Sequence, residues 1–278
     1  MRIHFGGRSR QSLVVARGNL DLAVKGASAA SASELSTHLF FASQVLASNT
    51  SLRRAITDHS RDAAAKAALV TDLFGESLSE SAITTLTQVS ALRWSASGDL
   101  VQVLEQLGVE AQASSANIVG ELDRVEDELF ELSRSITANF ELRKALTSAA
   151  SAEVKGALIT ELVGATASDS TTKLAIALVA HLRGRSLEAA FADFLFALAA
   201  RRDRLIAVVR VARPITPAQS ERLLSALTKE VGQPVRINIE VDPSVLGGIS
   251  IKYADELVDG TVSNRLASAG RALAGQNA

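Results

Sequence analysis

At 278 residues, with 29 basic side chains set against 30 acidic ones, the chain is long enough for two or more domains and has no basic field to attract nucleic acid. An aromatic content of 4% leaves few platforms on which bases could stack, and the absence of cysteine excludes disulfides and thiolate chemistry. The longest apolar runs, such as 174–180 and 194–200, fall well short of the roughly 20 residues a membrane helix needs, so no direct membrane insertion is expected.

In chain order, the opening "MRIHFGGRSRQSLVVARG" is basic, has no acid before Asp21 and lacks the sustained apolar core of a secretory signal. It reads as a short polar tail running into a helix. All four prolines lie beyond residue 213, so a helical body is expected before them. Apolar residues recur there at helical spacing, as in Leu35, Leu39, Val45 and Leu46, and again in Leu122, Val125, Leu129, Leu132 and Ile136.

Those two segments resemble each other. "SELSTHLFFASQVLASNTSLRRAIT" (33–57) lines up with "DRVEDELFELSRSITANFELRKALT" (123–147), matching Leu39 to Leu129, Phe40 to Phe130, Asn49 to Asn139 and Arg53 to Arg143 at a shift of 90. "KAALVTDLFG" (66–75) then matches "KGALITELVG" (155–164) at a shift of 89, and Leu92-Arg93 parallels Leu182-Arg183. Self-similarity through several segments and turns implies a duplicated helical bundle.

The pattern changes after "ARRDR". Residues 207–212 are short and valine-rich, as suits a strand. A helix follows, with Thr216 as N-cap, Pro217 at its first position and Gln219 placed to complete a capping box; Leu223, Leu224, Leu227 and Val231 are expected as its buried stripe. Val235, Ile237, Ile239 and Val241 alternate with polar residues in a second strand, and 249–253 form a third. Val262, Leu266, Ala269 and Leu273 close the chain as an amphipathic helix. The expected fold is mainly α: a duplicated N-terminal helical bundle (1–112 and 113–203) followed by a small α+β domain of βαββα order (204–278).

Catalytic constellations are missing. There is no phosphate loop, dinucleotide fingerprint, nucleophile elbow or HExxH pair, and His4, His38, His59 and His181 lack metal-ligand spacing. No catalytic, cofactor-binding or metal residue is assigned, and no cofactor is expected. Gly247-Gly248 opens a strand and not a helix, which favours a hairpin corner over an anion cradle. Asp255, Glu256 and Asp259 read as solvated turn residues around the Asp259-Gly260 dipeptide. Arg201, Arg202 and Arg204 read as a solvated helix end.

The tail "INIEVDPSVLGGISIKYADELVDGTVSNRLASAGRAL" nevertheless carries a specific arrangement: strand, Asp242, an apolar turn, Gly247-Gly248, strand, then Asp259, Gly260 and Arg265 within "DGTVSNRL". It resembles the C-terminal signature of the δ subunit of F-type ATP synthases, the oligomycin-sensitivity-conferring family, over roughly the last 75 residues. "SLVVARGNLDLAVKG" is similar, more loosely, to that family's N-terminal bundle. The doubled bundle resembles the enlarged actinobacterial form, without the b-like segment fused to it in mycobacteria.

The resemblance implies a non-enzymatic peripheral-stalk subunit, one copy per complex, held on the cytoplasmic face of the cell membrane. Its implied partners are the N-terminal helices of α subunits and the b subunits, with β subunits as a further contact. The first bundle, which keeps the family's opening helix, is expected on the catalytic head, with the second as a spacer. Two other readings stay open at this point: a helical-repeat adaptor unrelated to ATP synthase, suggested by the duplication alone, and an enzyme using the Gly247–Asp259 region.

Overall fold

A computed structural model describes residues 5–203, 206–231, 236–242, 248–253 and 256–259. The chain divides into two compact units, residues 1–199 and 200–278.

The first unit is helical. Its elements are α1 (Gly7–Val24), α2 (Ala29–Ser48), α3 (Thr50–Thr57), α4 (Ala63–Phe74), α5 (Glu80–Ala91), α6 (Ser97–Ile118), α7 (Leu122–Ala138), α8 (Phe140–Thr147), α9 (Ala152–Val163), α10 (Asp169–Ala180) and α11 (Leu187–Asp203). Side chains that can accept from exposed amides start many of them: Ser28, Asp62, Ser151 and Ser168 each take a backbone N–H of the first turn. Asn49 and Asn139 end one helix and cap the next, accepting from the amides of Leu52 and of Glu141 and Leu142. Helix–break–helix joints therefore recur at the matched positions of the repeat.

The order long helix, long helix, short helix and three more runs through α1–α6 and again through α6–α11. α6 is thus the last helix of one half and the first of the other. The expected division between residues 112 and 113 falls inside this unbroken helix. Two apolar clusters meet on it, one holding Leu100, Leu104 and Leu107, the other Val109, Ala113 and Ala116. A helix covered on every side is normally apolar all round. α6 is instead buried with Glu105, Gln106, Glu110, Gln112, Ser114 and Ser115 inside, so each of these needs a partner.

The second unit holds β1 (Ile206–Val211), α12 (Pro217–Val231), β2 (Arg236–Val241), β3 (Ile249–Tyr253) and β4 (Glu256–Asp259). The sheet order is β2-β1-β3-β4, with β1 and β2 parallel and the other pairs antiparallel. α12 is the crossover that parallel strands require. Its capping box forms as read: the Thr216 amide donates to Gln219 Oε1 at 2.8 Å and the Gln219 amide to Thr216 Oγ1 at 3.3 Å.

Four readings change here. Arg201, read as part of a solvated helix end, is buried in α11. Glu256 and Asp259, taken as turn residues, belong to the edge strand β4, because its amides and carbonyls find a ladder on β3, while Asp255 lies outside the described residues. In α12 Leu227 is buried, but Leu224 is exposed. Val241 is 48% exposed on the edge strand β2, so its period-two alternation does not translate into burial at that end. The expected closing helix, 262–273, lies outside the described residues.

Candidate partner-binding surface

α1 is amphipathic in two directions. Leu13, Ala16, Leu20 and Val24 enter the core, spaced by three and four residues. On the far side Val14, Val15 and Leu22 stand 63%, 49% and 71% exposed, with Gly18 open among them and nothing within 4 Å of where its Cβ would lie. An apolar stripe two turns long therefore faces water on this helix.

The helix is held firmly from beneath. Ser9 Oγ donates to Asp99 Oδ2 at 2.6 Å, Ser12 Oγ to the Arg93 carbonyl at 2.6 Å, and Arg17 Nε to Glu110 Oε1 at 2.6 Å. Glu110 is wholly buried, and Gln106 Nε2 donates to the same oxygen at 3.3 Å. Charge-assisted contacts of this kind in a poorly solvated place fix orientation.

The other buried polar groups of α6 join its neighbours. Glu105 accepts from Arg185 Nη2 at 2.9 Å and lies 3.7 Å from Arg183 Nη1, while Arg185 also reaches Asp193 at 3.1 Å. Burial pushes the Arg183 guanidinium below its ordinary pKa, with Glu105 opposing that shift. Arg183 is the one described non-glycine residue with positive φ, at +53°. A cavity of about 560 Å3 opens between α1, α6 and α11, lined among others by Arg10, Arg17, Glu105, Asp193 and Phe196. Its acids are engaged by arginines, and it contains no nucleophile–base pair.

Among the residues singled out in the tail, Gly248 takes φ +86°, the conformation that makes glycine necessary at this corner. The Asp242 amide donates to the Val211 carbonyl at 2.9 Å, and Asp259 pairs with Ser250 across β3 and β4. Gly247, Gly260 and Arg265 lie outside the described residues. His38 accepts the Ser79 amide at 3.1 Å on Nδ1, tying α2 to the start of α5. No group of three or more potential metal-binding side chains occurs among the described residues, and no described helix is long and apolar enough to cross a membrane.

Sequence reasoning missed the outer stripe of α1. Its signal was present in the pairs Leu13-Val14 and Leu20–Leu22, which put apolar side chains on both faces of one helix.

The described residues thus form a helical unit with an uncovered apolar stripe on α1 and a small α/β unit. A family model described as ATP synthase delta (OSCP) subunit matches residues 109–273. The ATP synthase subunit delta of Streptomyces coelicolor is 42% identical over 96% of this chain and 98% of its own length. Those of Kineococcus radiotolerans and Thermobifida fusca are 35% and 37% identical, each over 97% of this chain and 98% and 99% of their own lengths. A cryo-EM structure of the Toxoplasma gondii mitochondrial ATP synthase hexamer aligns with 59% of this chain and 96% of its own, at 18% identity and a TM-score of 0.32, too remote to carry any inference.

The chain belongs to the ATP synthase delta (OSCP) subunit family, whose members are structural and not catalytic parts of the complex. That membership sets aside both the unrelated adaptor and the enzyme. The family match starts inside α6 and leaves residues 1–108 outside it, whereas the actinobacterial relatives extend over both halves. The expectation that the family's own opening helix is the first in the chain therefore meets a match that begins one repeat later.

Proposed function

We propose that this chain is the peripheral-stalk connector of an F-type ATP synthase, linking the catalytic α/β head to the b subunits so that the head does not turn with the rotor. The helical halves, sharing α6, receive the N-terminal helices of α subunits, with β subunits as a further contact. The unit from residue 200 onward holds the ends of the b subunits, with Asp242, Gly247, Gly248, Asp259, Gly260 and Arg265 shaping its corner. One copy serves each complex, peripheral to the cytoplasmic face of the cell membrane.

The observation that carries this reading is the uncovered stripe of Val14, Val15 and Leu22 on a helix otherwise clamped by buried polar contacts. Resisting torque requires a helical unit that does not yield. α6 contributes to this, since a helix whose buried polar atoms are bonded to several neighbours cannot slide without breaking them together. Pull-down of the full chain with the isolated head and, separately, with b-subunit peptides tests the proposal. Capture of both is expected, and failure to retain either removes it.

A further inference from the structure

The cavity of about 560 Å3 between α1, α6 and α11 falls within the range of small-molecule sites, about 300–1,000 Å3. Its wall is mostly apolar, made by Phe5 and Leu13 near the start of the chain, Val109 of α6, and Phe194, Phe196 and Ala197 of α11. The charged groups on it are few, and their partners can be followed one by one. Glu105 and Asp193 both accept from Arg185, at 2.9 and 3.1 Å, and Arg183 lies 3.7 Å from Glu105. These two arginines cancel the two acids of the wall. Arg17 is matched in the same way by buried Glu110. Arg10, exposed on α1, makes no ion pair among the described residues, so one positive charge is left over.

A second observation points the same way. The Arg17 guanidinium engages Glu110 through Nε, while its Nη2 is buried with no hydrogen-bond partner. A buried charged donor without an acceptor is costly, and native proteins seldom keep one. Arg10 and Arg17 stand about two helical turns apart with Leu13 between them, and all three line the cavity. The spare charge and the orphaned donor thus lie on the same α1 wall.

We infer that this cavity binds a medium-chain carboxylate, its charge held on the α1 wall by Arg10 and Arg17 and its alkyl chain laid along Val109, Phe194 and Ala197. A single spare positive charge matches a monoanion, whereas a phosphate monoester would bring close to two negative charges. The guanidinium fork suits the geometry of a carboxylate. The apolar wall favours a ligand that has apolar surface to bury. Because the wall takes residues from α1 of the first half and α11 of the second, with the shared α6 between them, an occupant touches both halves and stabilises the helical unit by mass action. The inference is independent of the connector role.

Calorimetric titration and thermal melts of the full chain with octanoate test it, with octanol as a neutral probe of the same apolar body. One octanoate per chain is expected, raising the melting temperature, with octanol binding about tenfold more weakly for want of the charged contact. Arg10→Gln should weaken octanoate binding about tenfold and leave octanol unchanged. Ala192→Trp, at an exposed position on the same wall, should block both probes without disturbing the core, and its own melt shows that it folds. Equal affinity for the two probes, several octanoates per chain, or octanoate binding that either variant leaves unchanged overturns the inference. So does a folded wild-type chain that binds no octanoate.

Discussion

Phe40 of α2 and Gly108 of α6 approach so closely that a Cβ on the glycine would stand 3.1 Å from the ring. Phe40 belongs by sequence to the first half and packs against the apolar cluster of the second. The two halves consequently share side chains as well as a helix.

Gly108 and Gly18 should answer substitution in opposite directions. Gly108→Val presses on Phe40 and is expected to destabilise the helical unit by about 1–3 kcal/mol through overpacking. Gly18→Ala meets nothing and should stabilise the chain by about 0.5–1 kcal/mol through lower backbone entropy in the unfolded state. Urea unfolding of both variants checks this, and equal effects would deny the contact.

The pair of Arg17 with the fully buried Glu110 should be costly to break from one side. Arg17→Ala removes the 2.6 Å contact and is expected to cost about 2–4 kcal/mol. Adding Glu110→Leu to that variant should recover part of the loss, since no buried carboxylate is then left. Thermal melts of the two single variants and the double variant measure the coupling.

Glu128 gives the helical unit an acid-sensitive joint between α7 and α10. Burial raises its pKa, but hydrogen bonds from the Thr171 hydroxyl, the Ser168 amide and Arg124 outweigh that and hold the carboxyl below the usual carboxylate range. A folded-state value below the unfolded one means the contribution is complete above the unfolded value and fades as pH falls through the folded one. Glu128→Gln should therefore cost about 1–2 kcal/mol at neutral pH, with the gap to wild type closing in acid below the ordinary range for glutamate. A gap that is constant from pH 7 downward would contradict this.

At Gly248 any side chain must adopt φ +86°. Gly248→Val is expected to cost about 1–3 kcal/mol in the second unit, the strain of a β-branched residue at positive φ. Hydrogen exchange of β3 amides reports it locally, and unchanged protection would show a corner that accepts side chains.

Much of the helical unit was legible because local signals and the repeat agreed. The match of Leu39 with Leu129 marked core positions of both halves, and that of Asn49 with Asn139 aligned the two positions that cap α3 and α8. The sharing of α6 was not legible. Its Glu105, Glu110 and Gln112 resemble a solvent face, and only tertiary pairing with Arg185, Arg17 and Ser33 brings them inside. β4 was missed for a related reason: "ELVD" is short and acidic, and its strand character comes from the ladder offered by β3. On α1 the pairs Leu13-Val14 and Leu20–Leu22 put apolar side chains on two faces, and only packing shows which face water touches.

The central claim is mechanical: the chain keeps the head from rotating idly. Measuring ATP hydrolysis and ATP-driven proton pumping together, in membranes stripped of this subunit and then resupplied with it, tests that claim most directly. The account predicts that stripped membranes hydrolyse ATP without pumping and that added chain restores the pumping. Pumping that stays coupled to hydrolysis in its absence would contradict it.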